Sequence, residues 1–304
     1  MTDVQFEASA STVQEVDRWE AFGEYTTVDG HRIWCRRVPA RSDVGRPPLL
    51  VLHGFPTCSY DWRPVLDDLS ERRDVVLFDF VGFGLSDKPD VRYGLRRSAD
   101  AAEAVAAHFG LGHVDLLTHD MGDSVGGEVL ARSIEGTLPF TIGRRVISNG
   151  SIYLDMAQLT VGQNLLMSLP DAAEPLVGAD GGASFRNGVM ATFAPDSPVD
   201  AAEMDALTLL AARADGLALL PRTIRYLEDR RAEEARFTGA IEAHDTPLGV
   251  VWGALDPVAV HAMAVHLVDQ VPAASLVTLD GVGHYPMVEA PRRFADAVLG
   301  FLDA

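Results

Sequence analysis

Hydrophobic positions along the chain fall into short, nearly unbroken runs separated by longer stretches with helical spacing. The runs are Leu49–Leu52, Val75–Phe80, Val114–Leu117, Val146–Ile147, Leu248–Trp252 and Leu276–Leu279. Apolar runs without alternation suit strands buried on both faces, as in a parallel sheet covered by helices. Helical patterns lie between several of them, for example over Ser98–Phe109 and Ser124–Ser133. One segment reads differently: residues 24–38 alternate around Asp29-Gly30, which predicts a hairpin. Strand–helix alternation of this kind predicts an α/β architecture with a doubly wound, mostly parallel sheet.

The alternation stops after Ile147. From about Tyr153 to His244 no strand pattern is visible; helical stretches cover Met204–Ala214 and Leu217–Ala235, with a Gly/Pro-rich middle at Pro170–Gly182. The strand pattern resumes at Pro247. Residues 1–152 and 245–304 are therefore expected to form one sheet core, with 153–244 inserted as a helical cap. In an open α/β sheet such an insertion roofs the crevice at the carboxyl ends of the strands, where ligands bind.

Composition narrows the function classes. The chain has 304 residues, 47% of them hydrophobic, and no stretch approaches the ~18 consecutive apolar residues of a membrane span. The amino-terminal stretch is polar and acidic, with no apolar region of the kind a secretory leader carries. Cys35 and Cys58 lie far apart and outside any metal-ligand spacing, so a reducing cytoplasm is expected. A formal net charge of −19 disfavours nucleic acid and anionic membrane surfaces as partners. A small neutral organic substrate fits better. Lys88 is the only lysine, which reflects composition rather than mechanism. The oligomeric state is not legible, and a homodimer stays open.

Candidate chemistry collects at the ends of the apolar runs. After Val114–Leu117 the chain reads Thr118-His119-Asp120-Met121-Gly122 and then turns helical. This is the small-x-nucleophile-x-small pattern of a strand-to-helix elbow, with Asp120 pushed out at the sheet edge and small neighbours avoiding clashes. Thr118 is bulkier than the usual glycine. Gly122-Asp123-Ser124-Val125-Gly126 matches GxSxG literally, so Ser124 is a rival nucleophile. Position weighs against it: the strand ends at Leu117, and Ser124 falls one helical turn too late. Asp256 follows the run Leu248–Trp252, and His284 follows Leu276–Leu279. The order Asp120, Asp256, His284 is nucleophile, acid, histidine. His53-Gly54-Phe55-Pro56 directly follows Leu49–Leu52.

The strings HGFPTCSYDWRPV, DFVGFGLSDKP, THDMG, WGALDPV and GHYPMVEAP resemble the α/β-hydrolase superfamily, from about Thr26 to the end. More narrowly they resemble its aspartate-nucleophile branch of epoxide hydrolases and haloalkane dehalogenases. THDMGDSVGGEVL, RYLEDRR and WGALDPV are also similar to mesoderm-specific transcript proteins. The resemblance implies the α/β-hydrolase fold, with Asp120 as nucleophile, His284 as general base and Asp256 orienting it. It also implies an oxyanion hole from the backbone N–H groups of Phe55 and Met121.

A carboxylate nucleophile suits attack on an sp³ carbon with a leaving group, giving an alkyl ester that His284-activated water then hydrolyses. No metal or organic cofactor is required. HGFP is the epoxide-hydrolase spelling, and dehalogenases typically place Trp where Met121 stands, so epoxide hydrolysis leads and dehalogenation is the alternative. A binding protein with slow turnover, or an esterase using Ser124, forms a further alternative. The family's epoxide hydrolases use two cap tyrosines; Tyr153 and Tyr226 are the two in the inserted region. His53, Phe55, Trp62, His119 and Met121 are candidates for the substrate pocket. His119 and Asp123 are expected to support the elbow by hydrogen bonds, and Tyr60, Asp61 and Trp62 to begin a helix. Arg222, Arg225, Arg230 and Arg231 read as a salt-bridged solvated helix face. Cys58 is assigned no role.

Overall fold

The hairpin forms where the alternation places it. β1 (Glu24–Val28) and β2 (His31–Val38) pair antiparallel, and Asp29 and Gly30 turn the chain at φ of 50° and 79°. Positive φ at both central positions matches the twist of the flanking strands. The unbroken runs become β3 (Leu49–Leu52), β4 (Val75–Phe78), β5 (His113–His119), β6 (Thr141–Ser148), β7 (Leu248–Gly253) and β8 (Ser275–Leu279). This computed structural model describes residues 8–42, 44–198 and 200–304; the first seven residues of the polar amino-terminal stretch lie outside them.

The eight strands form one sheet in the order β1-β2-β4-β3-β5-β6-β7-β8. β2 runs antiparallel to β4, and every later pairing is parallel. From β3 the chain crosses to β4 on one side, then returns to place β5 on the other. The order therefore reverses between β3 and β5, and a crevice opens there at the carboxyl ends of the strands. β6 is longer than its apolar core Val146–Ile147. Arg145 hid the rest: it is buried, and its guanidinium donates to the carbonyls of Ile241, His244 and Thr246. A helix at Ala10–Ala21, absent from the sequence reading, packs Trp19 against Trp34 and Tyr60.

Between β6 and β7 the described residues contain helices and no strand. The continuous helix expected over Leu217–Ala235 is broken into pieces: a 3-10 turn at Arg213–Leu219, then helices at Leu220–Thr223, Tyr226–Ala232 and Glu234–Ala243. Backbone breaks are visible at Ala214 and Asp215, which take positive φ, and at Glu233, at φ −132°. Among the described residues no helix is long and apolar enough to cross a membrane. Cys35 and Cys58 are free and buried.

Candidate active site

β5 ends at His119 and a helix begins at Met121, so Asp120 is the whole turn between them. It holds φ 50° and ψ −115°, a conformation costly for a non-glycine residue and found where a fold over-determines it. The confinement comes from close packing against the end of β3. A Cβ on Gly54 would lie 2.7 Å from Asp120 Cβ, and one on Gly122 would lie 2.6 Å from the Leu52 carbonyl oxygen. Glycine at both positions lets the two strand-end loops meet. The result is a hydrogen bond: the Phe55 N–H donates to Asp120 Oδ2 at 2.8 Å.

His284 approaches the other oxygen. Its Nε2 stands 3.7 Å from Asp120 Oδ1, and its Nδ1 bonds Asp256 Oδ2 at 2.7 Å. All three residues are buried. Asp256 is fixed in turn, accepting from the backbone N–H groups of Val258 and Ala259 and from the Asn149 amide at 2.7 Å. Burial alone would depress the His284 pKa. The Asp256 carboxylate, by charge and hydrogen bond, with Asp120 and Glu289 behind it, outweighs burial and lifts it to about 9.

Ser124 lies one turn along the elbow helix and meets no histidine. Its hydroxyl accepts a hydrogen bond from Arg230 Nε at 2.8 Å. The GxSxG match has a packing origin. Gly122 clears the end of β3, and a Cβ on Gly126 would sit 3.0 Å from Thr118 Cγ2. The bulk of Thr118 is thus accommodated by Gly126, and the Thr118 hydroxyl donates to Asp123.

The residues flanking the elbow are engaged with the backbone or with one another. His119 Nδ1 bonds the Ser148 carbonyl at 3.0 Å, and burial drives its pKa well below the usual value. His53 Nδ1 bonds the Gly54 carbonyl and its Nε2 accepts from the Phe80 N–H. It is buried and neutral, and it braces the loop that carries Phe55. Burial also pushes the Asp123 carboxyl well above the ordinary range.

A cavity of about 420 Å³ lies between sheet and cap, reaching Phe55, His284 and Tyr285 at its inner end. Of the pocket residues proposed from sequence, only Phe55 lines it. Trp62 is fully buried between His119 and Phe294 and is a core residue, while His53, His119 and Met121 lie behind the wall. The two cap tyrosines separate. Tyr226 is buried beside Phe55, ring centroids 5.8 Å apart, and the Asp120 charge adds to burial in raising its pKa. Tyr153 points elsewhere: its hydroxyl donates to Glu242 at 2.7 Å and its ring packs on His266.

The solvated arginine face is also corrected. Arg231 is exposed, but Arg225 is buried and donates to the carbonyls of Pro221, Met167 and Leu169. Arg230 is 1% exposed, stacks over the Tyr226 ring at 5.1 Å and donates to the Ser151 carbonyl. Helical spacing of four puts Tyr226 and Arg230 on one face, and that face turns inward.

Three residues escaped the sequence reading. Asn149 sits at φ 54°, bonds Asp256, and accepts from the Gly253 N–H, tying β6 to β7. Asn-Gly one residue beyond the run Val146–Ile147 was its trace in the sequence, since Asn tolerates the left-handed region. Glu289 accepts from the backbone N–H groups of Gly283, Tyr285 and Ala194, clamping the His284 loop to the cap. Tyr285, the residue after His284, lines the cavity. Among the described residues no group of three or more His, Cys, Asp or Glu side chains could hold a metal ion.

Residues 49–297 match the model of the alpha/beta hydrolase family. The chain belongs to that family. This α/β hydrolase is 40% identical over 293 residues to the putative hydrolase LipZ of Mycobacterium tuberculosis, covering 96% of this chain and 99% of that one. It is 30% identical over 296 residues to the mesoderm-specific transcript protein of Mus musculus, covering 94% and 87%. Among solved structures it resembles the epoxide hydrolase CorEH, with a TM-score of 0.76 at 18% identity, covering 92% of this chain and 98% of that one. At that identity the likeness speaks to the fold.

Proposed function

We propose that this α/β hydrolase opens epoxides to vicinal diols through an ester on Asp120. One observation carries the reading: the two oxygens of a single buried carboxylate are divided between two tasks. Oδ2 is held by the Phe55 N–H, while Oδ1 stands 3.7 Å from the His284 ring. In that arrangement Oδ1 attacks a ring carbon and the carbon–oxygen bond of the epoxide breaks. Tyr226, kept protonated by burial, gives its proton to the departing alkoxide. His284 Nε2 then takes a proton from water as the water oxygen attacks the Asp120 carboxyl carbon. The N–H groups of Phe55 and of Met121, first residue of the elbow helix, hold the oxyanion that forms at Oδ2. Collapse expels the diol oxygen, which takes the proton back from His284. The regenerated carboxylic acid loses its proton, which restores the Tyr226 hydroxyl.

The charge on His284 supports this order of events. With both carboxylates ionised its pKa is about 9, which favours imidazolium. Esterification removes the Asp120 charge and with it one of the upward influences. Once the nucleophile has been used, His284 gives its proton to solvent and becomes the neutral base, and it regains a proton from solvent when the Asp120 charge returns. An ester substrate would give a carboxylate nucleophile only an anhydride-like intermediate, so an electrophilic sp³ carbon fits better. Between leaving groups, a buried phenol packed on Phe55, which itself lines the cavity, suits an alkoxide. The reading includes a cytoplasmic setting, supported by two buried, unpaired cysteines.

Single-turnover hydrolysis in ¹⁸O-water tests the proposal. The expected first-turnover diol carries no label, which enters the Asp120 carboxyl instead. Label in the diol, with none in the Asp120 peptide, overturns the ester intermediate.

A further inference from the structure

We infer that the substrate is a neutral epoxide bearing a long aliphatic chain that runs out through the cap between Leu165 and Leu176. The inference rests on the epoxide reading for its reacting end only; the chain is argued from the cavity wall.

The cavity is too large for a small oxirane. Its volume of about 420 Å³ falls in the range of roughly 300–1,000 Å³ that encloses drug-sized ligands. Polar groups able to orient a ligand lie at its inner end, at His284 and Tyr285. Further out, each polar side chain of the wall is engaged close by in its own segment. Thr160 and Gln163 bond each other's backbone in a helix cap. Asp180 accepts from the N–H groups of Gly182 and Ser184, and the Thr192 hydroxyl donates to the Val189 carbonyl. What faces a ligand there is hydrocarbon, including Phe185, Val189, Leu217 and Leu220.

The apolar surface continues to the outside. Leu165 is 62% exposed and Leu176 80% exposed, yet both line the cavity. The helix that carries Leu165, Val161–Ser168, buries none of its residues. Large exposed apolar side chains continuous with an apolar cavity mark a binding surface. A chain longer than the cavity covers them; a short substrate leaves them in water. The rim also carries sign. Asp180 is held below the usual carboxylate range by the Ser184 hydroxyl, and Glu174 caps the Leu176 N–H. An anionic tail end meets these carboxylates, and a charge of either sign sheds its water along the hydrocarbon wall, so the chain is neutral.

Two series test the inference. One measures kcat/KM for 1,2-epoxyalkanes from four to fourteen carbons. The other measures, by calorimetry, the affinity of the unreactive 1,2-alkanediols of the same lengths. Both are expected to rise about fourfold per methylene through the middle of the series. Leu165→Ser with Leu176→Ser, both at exposed positions, is expected to flatten the long-chain end of both series. A diol ending in a carboxylate is expected to bind at least tenfold more weakly than its neutral counterpart. Diol affinity that rises with length while no epoxide turns over upholds the chain and overturns the epoxide reading. Turnover without length dependence in either series overturns the chain and leaves the epoxide reading standing. Equal affinity for the carboxylate-ended ligand overturns its neutrality.

Discussion

Arg230 donates from Nε to the Ser124 hydroxyl across the boundary between cap and elbow helix, at 2.8 Å and out of contact with water. The contact gives the GxSxG serine a structural task and leaves it no base. Ser124→Ala is therefore expected to keep turnover within a few-fold of the parent. It should cost about 1–3 kcal/mol of stability, because the buried guanidinium loses a partner. Asp120→Ala should lose at least roughly 10⁴-fold in kcat. Steady-state kinetics and urea unfolding on the two variants check this. Loss of activity in Ser124→Ala with an unchanged fold contradicts it.

The cap tyrosines should divide as their surroundings do. Tyr226→Phe removes the phenol beside Asp120 and is expected to slow epoxide opening by about 10²–10⁴-fold. Tyr153→Phe removes only a hydroxyl bonded to Glu242 and should leave opening unchanged. Pre-steady-state rates of alkylation, measured for both variants, separate the two. Equal effects contradict the assignment.

Asn149 joins Asp256 to β6 and β7 while holding a positive φ. Asn149→Ala loses the amide bond to the carboxylate and strains the turn, and should lower kcat roughly 10–100-fold, the value of a hydrogen bond to a charged group. Asn149→Gly relieves the turn without restoring the bond. It is expected to recover thermal stability and not activity. Recovery of activity in the glycine variant shows that only the backbone mattered.

His284 also sets a pH dependence of stability. Its pKa is raised on folding, from about 6.5 to about 9. The folded state therefore binds the proton more tightly. The stabilisation is fully present below pH 6.5 and is lost as pH rises through 9. The difference in unfolding free energy between the parent and His284→Gln should shrink across that window. A difference that grows with pH contradicts the charge arrangement around the ring.

The residues brought together at the sheet edge were legible because a strand end is a fixed point. Phe55, Asp120, Asp256 and His284 each stand within five residues of the end of an apolar run, and a parallel sheet delivers all such ends to one side. The elbow was the ambiguous case. Two overlapping patterns competed, and the length of the strand favoured the earlier one. The cap was opaque for a related reason. No sheet register orients Tyr153, Tyr226 or Arg230, and helical spacing alone does not say which face turns inward. Arg230 looked solvated among charged neighbours, yet only tertiary packing against Ser124 and Tyr226 reveals that it is buried. Arg145 interrupted the reading of β6 in the same way, its charge concealing a buried strand position.

The central claim is covalent attachment at Asp120, and the most direct measurement is to trap it. His284→Gln, given a neutral 1,2-epoxyalkane, should accumulate the ester because no base activates water. Mass spectrometry of the Asp120 peptide is expected to show an increase equal to the whole mass of the epoxide. An unmodified Asp120 peptide from folded protein, or an adduct on Ser124, contradicts the account.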